Sequence, residues 1–112
     1  MPPLQFIVEG GNRLSGSIRP AGNKNAALPI VAASLLAEEE VILENVPRIR
    51  DIETLVELCR SVGASMEWTD RNTLTVNARS IEASTLDPVL CAKIRGAILL
   101  AGPLLARCGA LR

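Results

Sequence analysis

Two stretches of this chain are apolar on nearly every side. Residues 25–37 read NAALPIVAASLLA and residues 96–106 read GAILLAGPLLA. A helix with one polar face lies on a surface, whereas a helix that is apolar all round has to be buried on all sides. Neither run reaches the roughly 20 residues that a bilayer crossing requires, so both are predicted as inner helices of a globular core. Pro29 is tolerated only near a first helical turn, where a missing N–H costs little, which puts the helix start close to Asn25. The two runs also echo each other. Lys93 follows Lys24 by 69 residues, and the same shift lays Ala101 on Ala32 and Leu104-Leu105-Ala106 on Leu35-Leu36-Ala37. Helices rich in Ala and Leu match by chance fairly often. The alternative is a true repeat, each unit a buried helix followed by strand, helix and strands. The second unit then stops after its first helix, so the expectation is an incomplete piece of a larger protein.

The remaining chain reads as short strands and one amphipathic helix. Leu4 to Glu9 is predicted as a strand, Gly10-Gly11-Asn12 as a turn, and Leu14 to Arg19 as the returning strand. A short strand is expected at Val41 to Leu43 with Val46, closed by Pro47. Asp51 is expected to cap a helix from Ile52 to Val62, whose apolar positions Ile52, Leu55, Val56, Cys59 and Val62 keep a 3-4 spacing. Gly63 stands where helices stop. Ser65 to Trp68 and Thr73 to Asn77 form a predicted hairpin around Asp70-Arg71-Asn72. Asp87-Pro88 then opens a third helix, continuous to about Arg107.

At 112 residues there is room for one small domain, and 48% apolar with 21% charged residues is the profile of a globular protein. The net charge is zero, and the basic residues are scattered, so no nucleic-acid or anionic-membrane partner is expected. Phe6 and Trp68 are too few aromatics for a base-stacking platform. The N-terminus lacks the basic and apolar regions of a signal peptide. Three cysteines, Cys59, Cys91 and Cys108, form neither a CxxC pair nor a disulfide framework. They read as thiols of a reducing, cytoplasmic compartment. With no histidine, a histidine base and a His-containing zinc site are excluded within these residues.

The residues most open to chemistry are in "GNKN", Gly22 to Asn25. A helix N-terminus favours an anion through its unsatisfied N–H groups and partial positive charge. Gly22 permits a sharp turn, Lys24 adds a full charge, and Asn23 and Asn25 add amide donors. On these residues alone a solvated loop is the commoner reading, and a phosphate or carboxylate site is the alternative.

The string GNKNAALPI, followed by AASLLAEEEVILENVPRIRDIETLVELCRSVGA and later by AKIRGAILLAGPLLARCG, resembles the UDP-N-acetylglucosamine 1-carboxyvinyltransferases. These bacterial enolpyruvyl transferases open peptidoglycan synthesis. The likeness runs from about Ile7 to Gly109. The related 3-phosphoshikimate enzymes carry a G-D-K-S-type motif with a following arginine, where this chain has Asn23 and Asn25 and no arginine soon after.

The resemblance implies an α/β fold, part of an inside-out barrel of repeated helix–sheet units. On that reading residues 1–20 are strands that join a second domain, 21–88 are a first unit, and 89–112 begin a second. It implies transfer of the enolpyruvyl group of phosphoenolpyruvate to the 3′-hydroxyl of UDP-N-acetylglucosamine, with no metal or organic cofactor. Lys24 and Asn25 match the family's phosphoenolpyruvate contacts, and Arg95 matches an arginine that contacts the nucleotide sugar. Cys108 is not the family's loop cysteine, which follows a P-G-G-type stretch. No catalytic acid or base is expected in these residues, and the chain alone is expected to be inactive. A 3-phosphoshikimate-type transferase and a non-catalytic anion-binding module are the alternatives. The resemblance says nothing of oligomeric state.

Overall fold

The computed structural model describes residues 3–82 and 86–109. The outer limits of the expected units, at 1–2 and 110–112, and part of the connection at 83–85 lie outside them. Helix α1 spans Lys24–Ser34, strand β1 Val41–Leu43, helix α2 Arg50–Ser61, strand β2 Ser65–Asp70 and strand β3 Thr73–Asn77. Helix α3 follows at Pro88–Lys93, then a 3₁₀ helix at Arg95–Leu100 that runs into helix α4, Ala101–Cys108.

The three strands make one antiparallel sheet in the order β1-β3-β2. Val41 and Leu43 pair with Val76 and Leu74, and these pair in turn with Met66 and Trp68. Because side chains alternate along a strand, this register puts all six on one face. That face and the apolar stripe of α2 close on each other. Ile52, Leu55, Val56, Cys59 and Val62 are all buried, as the 3-4 spacing predicts. Gly63, at φ +106°, ends α2 as expected, and a Cβ there would stand 2.5 Å from the Ser80 carbonyl.

Four expectations are corrected. First, residues 4–9 and 14–19 form no strands. Leu4, Phe6, Ile7, Val8, Leu14 and Ile18 are each at least 86% exposed. A two-stranded hairpin with no layer behind it is marginal in water, and nothing among the described residues covers this one.

Second, α1 is not buried all round. Val31, Ala32 and Leu35 are buried, but Ile30 and Leu36 are half exposed and Ala26 and Ala33 face outward. Its start at Lys24 also leaves Pro29 in the second turn, not the first.

Third, the stretch from Pro88 to about Arg107 is not one helix. Ile94 is extended, at φ −140° and ψ 143°, and separates α3 from the 3₁₀ helix. Tertiary contact explains the break: Ile94 turns inward and is buried. Gly96 lies so close to α1 that a Cβ on it would meet Leu28 at 3.3 Å. Ala97, Leu100 and Leu104 continue that buried seam. Lys24 therefore opens a helix, whereas Lys93, 69 residues on, closes one.

Fourth, Asp51 does not cap α2. Ile49 holds the N-cap position and makes no side-chain cap bond, and Asp51 lies inside the first turn.

Arg107 joins the pieces. Its guanidinium donates to the Leu35 carbonyl at 2.6 Å, at the end of α1, and to the Ala78 carbonyl at 2.8 Å, just past β3. A cation at these unpartnered carbonyls suits both the hydrogen bonding and the helix dipole.

Candidate functional site

The entrance to α1 is set by close approach. Gly22 has an ordinary φ, but a Cβ on it would collide with the Asn45 carbonyl and stand 2.7 Å from Pro47 Cδ. The glycine is needed because the incoming chain presses against the β1–α2 loop, not because it turns sharply. That loop is itself fixed. Asn45 adopts φ 56° and donates to the Pro20 carbonyl at 3.4 Å. Asn72 and Val46 exchange two hydrogen bonds, at 2.9 and 2.8 Å.

Asn23 is the N-cap of α1. Its Oδ1 accepts from the Asn25 N–H at 2.7 Å, while its carbonyl accepts from the Ala26 and Ala27 N–H groups at 3.2 and 2.9 Å. The anion site, the alternative to a solvated loop, requires open N–H groups at this helix start with Asn23 as a further donor. In the structure three of those N–H groups are satisfied internally. What the entrance offers a ligand is the Lys24 ammonium, the Asn25 side-chain amide and the dipole of an eleven-residue helix.

The ammonium is not alone. Lys24 Nζ lies 3.1 Å from Asp51 Oδ2, with the two side chains 50% and 35% exposed. The pair ties the first turn of α1 to the first turn of α2 across 27 positions of sequence. Sequence reasoning placed Asp51 at the helix start but missed its partner. The one available signal was an acid in a first turn; nothing in the spacing points to Lys24.

Arg95 opens the 3₁₀ helix, exposed and without a hydrogen bond or ion pair among the described residues. It borders an apolar groove of about 310 Å³ with Leu86, Cys91, Ile94, Ile98 and Ala101. Its neighbour Gly96 packs on Leu28, one turn beyond Lys24. Lys24 and Asn25 thus share a turn, and Arg95 stands beside the next one but borders a different groove. A separate groove of about 400 Å³, lined by Gly22, Asn23, Ala26, Ile30, Ile42 and Asn45 among others, includes none of the three.

Arg48, Arg60 and Cys59 are taken up by the fold. Arg48 donates to Glu53 at 2.9 Å and lies 4.9 Å over the Trp68 ring. Arg60 donates to the Met66 carbonyl from both Nε and Nη2. Burial pushes the Cys59 thiol up to about 12, so it stays protonated and inert at neutral pH. Among the described residues there is no cluster of acids and thiols able to hold a metal ion. No helix among the described residues is long and apolar enough to cross a membrane.

The comparisons agree in direction. Residues 8–112 match the family model described as EPSP synthase (3-phosphoshikimate 1-carboxyvinyltransferase). The UDP-N-acetylglucosamine 1-carboxyvinyltransferase of Bradyrhizobium diazoefficiens is 72% identical over 109 residues, 97% of this chain and 25% of the relative. The enzyme of the same name from Treponema denticola is 40% identical over 105 residues, 94% of this chain and 25% of the relative. Among solved structures, the enolpyruvyl transferase NikO from Streptomyces tendae is 35% identical with a TM-score of 0.73. That match covers 88% of this chain and 23% of NikO. The chain thus spans about a quarter of the length of the relatives it matches.

Proposed function

The chain belongs to the EPSP synthase family, and from that premise we propose that it is part of an enolpyruvyl transferase acting on phosphoenolpyruvate and UDP-N-acetylglucosamine. The observation that carries this reading is the 72% identity to an enzyme of that name, extending over 97% of the chain. The reaction moves the enolpyruvyl group to the 3′-hydroxyl of the sugar and releases phosphate, a committed step towards peptidoglycan. Its place is the cytoplasm, the reducing compartment in which free thiols such as Cys59 persist.

In this reading Lys24 and Asn25 hold the phosphate or carboxylate of phosphoenolpyruvate at the mouth of α1. The ammonium supplies charge, and the amide fixes orientation by hydrogen bonding. Charge held in place before reaction stabilises the anionic intermediate more than water does, because the protein groups need not reorganise. Arg95 takes the diphosphate of the nucleotide sugar, for which a planar guanidinium offers paired donors. In this reading the chain supplies binding groups, and none of its residues is assigned the role of catalytic acid or base. It has no histidine, and its fully buried thiol, Cys59, is inert.

Phosphate release is measured with phosphoenolpyruvate and UDP-N-acetylglucosamine. The 112-residue chain is expected to give no turnover, while phosphoenolpyruvate binds in a Lys24-dependent manner. Turnover by this chain would overturn the first expectation, and binding unchanged in Lys24→Gln would overturn the second. The family description names 3-phosphoshikimate, so that acceptor is run in parallel with the nucleotide sugar. Saturable binding of 3-phosphoshikimate without binding of the nucleotide sugar would reverse the choice.

A further inference from the structure

We propose that Asp51 is an internal counter-anion of the Lys24 site, holding the ammonium that a ligand's phosphate or carboxylate must take over and thereby weakening the site's grip on small anions. The proposal rests on the reading of Lys24 given above. Its structural basis is independent of the family match. Asp51 Oδ2 lies 3.1 Å from Lys24 Nζ. The Asp51 side chain makes no other hydrogen bond or ion pair among the described residues, and it caps nothing in its own helix. The N–H groups of Asn25, Ala26 and Ala27 are already bonded within the turn, so the ammonium is the main positive group on offer. Both partners are partly open to solvent, at 50% and 35%, so a small anion can reach the pair.

A carboxylate here has two opposite effects on a ligand. It orders the flexible lysine, which helps binding, and it repels the ligand's negative charge, which hinders binding. The ordering gain is fixed, because it concerns one side chain. The repulsion grows with every charge on the ligand, and phosphoenolpyruvate carries more than one at neutral pH. Repulsion therefore dominates, and the lysine exchanges one carboxylate for another anion instead of meeting the ligand unpaired.

The test uses the chain with its two lysines, followed by NMR at the side-chain Cε positions. Lys93, exposed at the end of α3, is the internal control. Phosphoenolpyruvate and inorganic phosphate are titrated separately into the parent, into Asp51→Asn, and into Asp51→Ser, which also suits a first helical turn. Both variants are expected to bind both anions about tenfold more tightly, equivalent to about 1.4 kcal/mol. The gain should disappear when Lys24→Gln is added, followed there at the backbone amides of Asn25 and Ala26, and Lys93 should not respond. Binding equal to the parent overturns the proposal, and weaker binding overturns it in favour of a positioning role. If the parent binds and neither variant gains, this inference alone fails. If Lys24 responds in no chain at millimolar anion, the reading of Lys24 fails with it.

Discussion

The body built on α2 and its sheet and the segment before α1 share an apolar vocabulary but end at opposite extremes of burial. In the body Leu35, Ile52, Leu55, Leu58, Leu74 and Val76 are wholly buried. In the segment Leu4, Ile7, Leu14 and Ile18 are all more than 90% exposed. The radius of gyration of 17.7 Å, against about 13 Å for a compact domain of 100 residues, reflects that arm. Alternation of apolar and polar residues thus fixes which face of a strand seeks cover. It does not supply the cover. The body has it because α2, β3 and α4 arrive from different parts of the chain, while the arm has no second layer among the described residues.

The widest gap between the two regions should come from truncating one leucine in each. Leu58→Ala is expected to destabilise the body by about 2–5 kcal/mol, the usual cost of a core cavity. Leu14→Ala should change stability by less than about 0.5 kcal/mol. Paired urea melts check this, and a cost for Leu14→Ala near that of Leu58→Ala would erase the distinction.

A second contrast lies in alkaline pH, where the buried thiol of the body has no counterpart in the arm. The native Cys59 thiol titrates near 12 against an ordinary value of 9.0. Between those values the unfolded chain has released this proton and the native chain has kept it. The contribution is fully present below about pH 9 and falls as pH rises toward about 12, by up to about 1.4 kcal/mol per pH unit. Chemical melts along this range, compared with Cys59→Ala, should show a steeper decline in the parent.

Arg107 sharpens the comparison differently, since it ties α4 to α1 and β3 across the body. Arg107→Ala should cost about 2 kcal/mol, because the Leu35 and Ala78 carbonyls lose charge-assisted bonds. Arg107→Lys should recover only part of it, one ammonium being unable to reproduce the fork. Hydrogen exchange should localise the loss to α4 and the end of β3, leaving the arm unchanged.

The smallest effect is expected at the site itself. Lys24→Gln should alter stability by no more than about 1 kcal/mol, since half-exposed ion pairs contribute little. Anion binding should be the property it changes. A large drop in melting temperature would recast the Lys24–Asp51 pair as a structural strut.

What was legible in advance was local. The stripe of α2, its Gly63 stop, the β2–β3 hairpin and the placement of Lys24 at a helix entrance follow from signals a few residues long. Pairings between distant residues were not. Asp51 reads as a cap because an acid beside an apolar run does cap helices, and only the docking of α1 on α2 reveals Lys24 as its partner. Arg107 marks only the approximate end of a predicted helix, and nothing nearby in sequence points to the Leu35 and Ala78 carbonyls. Gly22 reads as a turn, although it is needed for a close approach to Asn45.

By itself, then, the sequence determined the periodicities, the turns, the apolar inventory and, through the motif around Lys24, the family to which the chain belongs. The tertiary structure decided which apolar faces find cover and where the predicted third helix breaks, at Ile94. It also decided which charges meet. Helix and turn preferences are set by bonds and steric contacts among neighbours in sequence. Burial and ion pairing depend on which surfaces the folded chain brings within a few ångströms, and that is settled only when the elements pack.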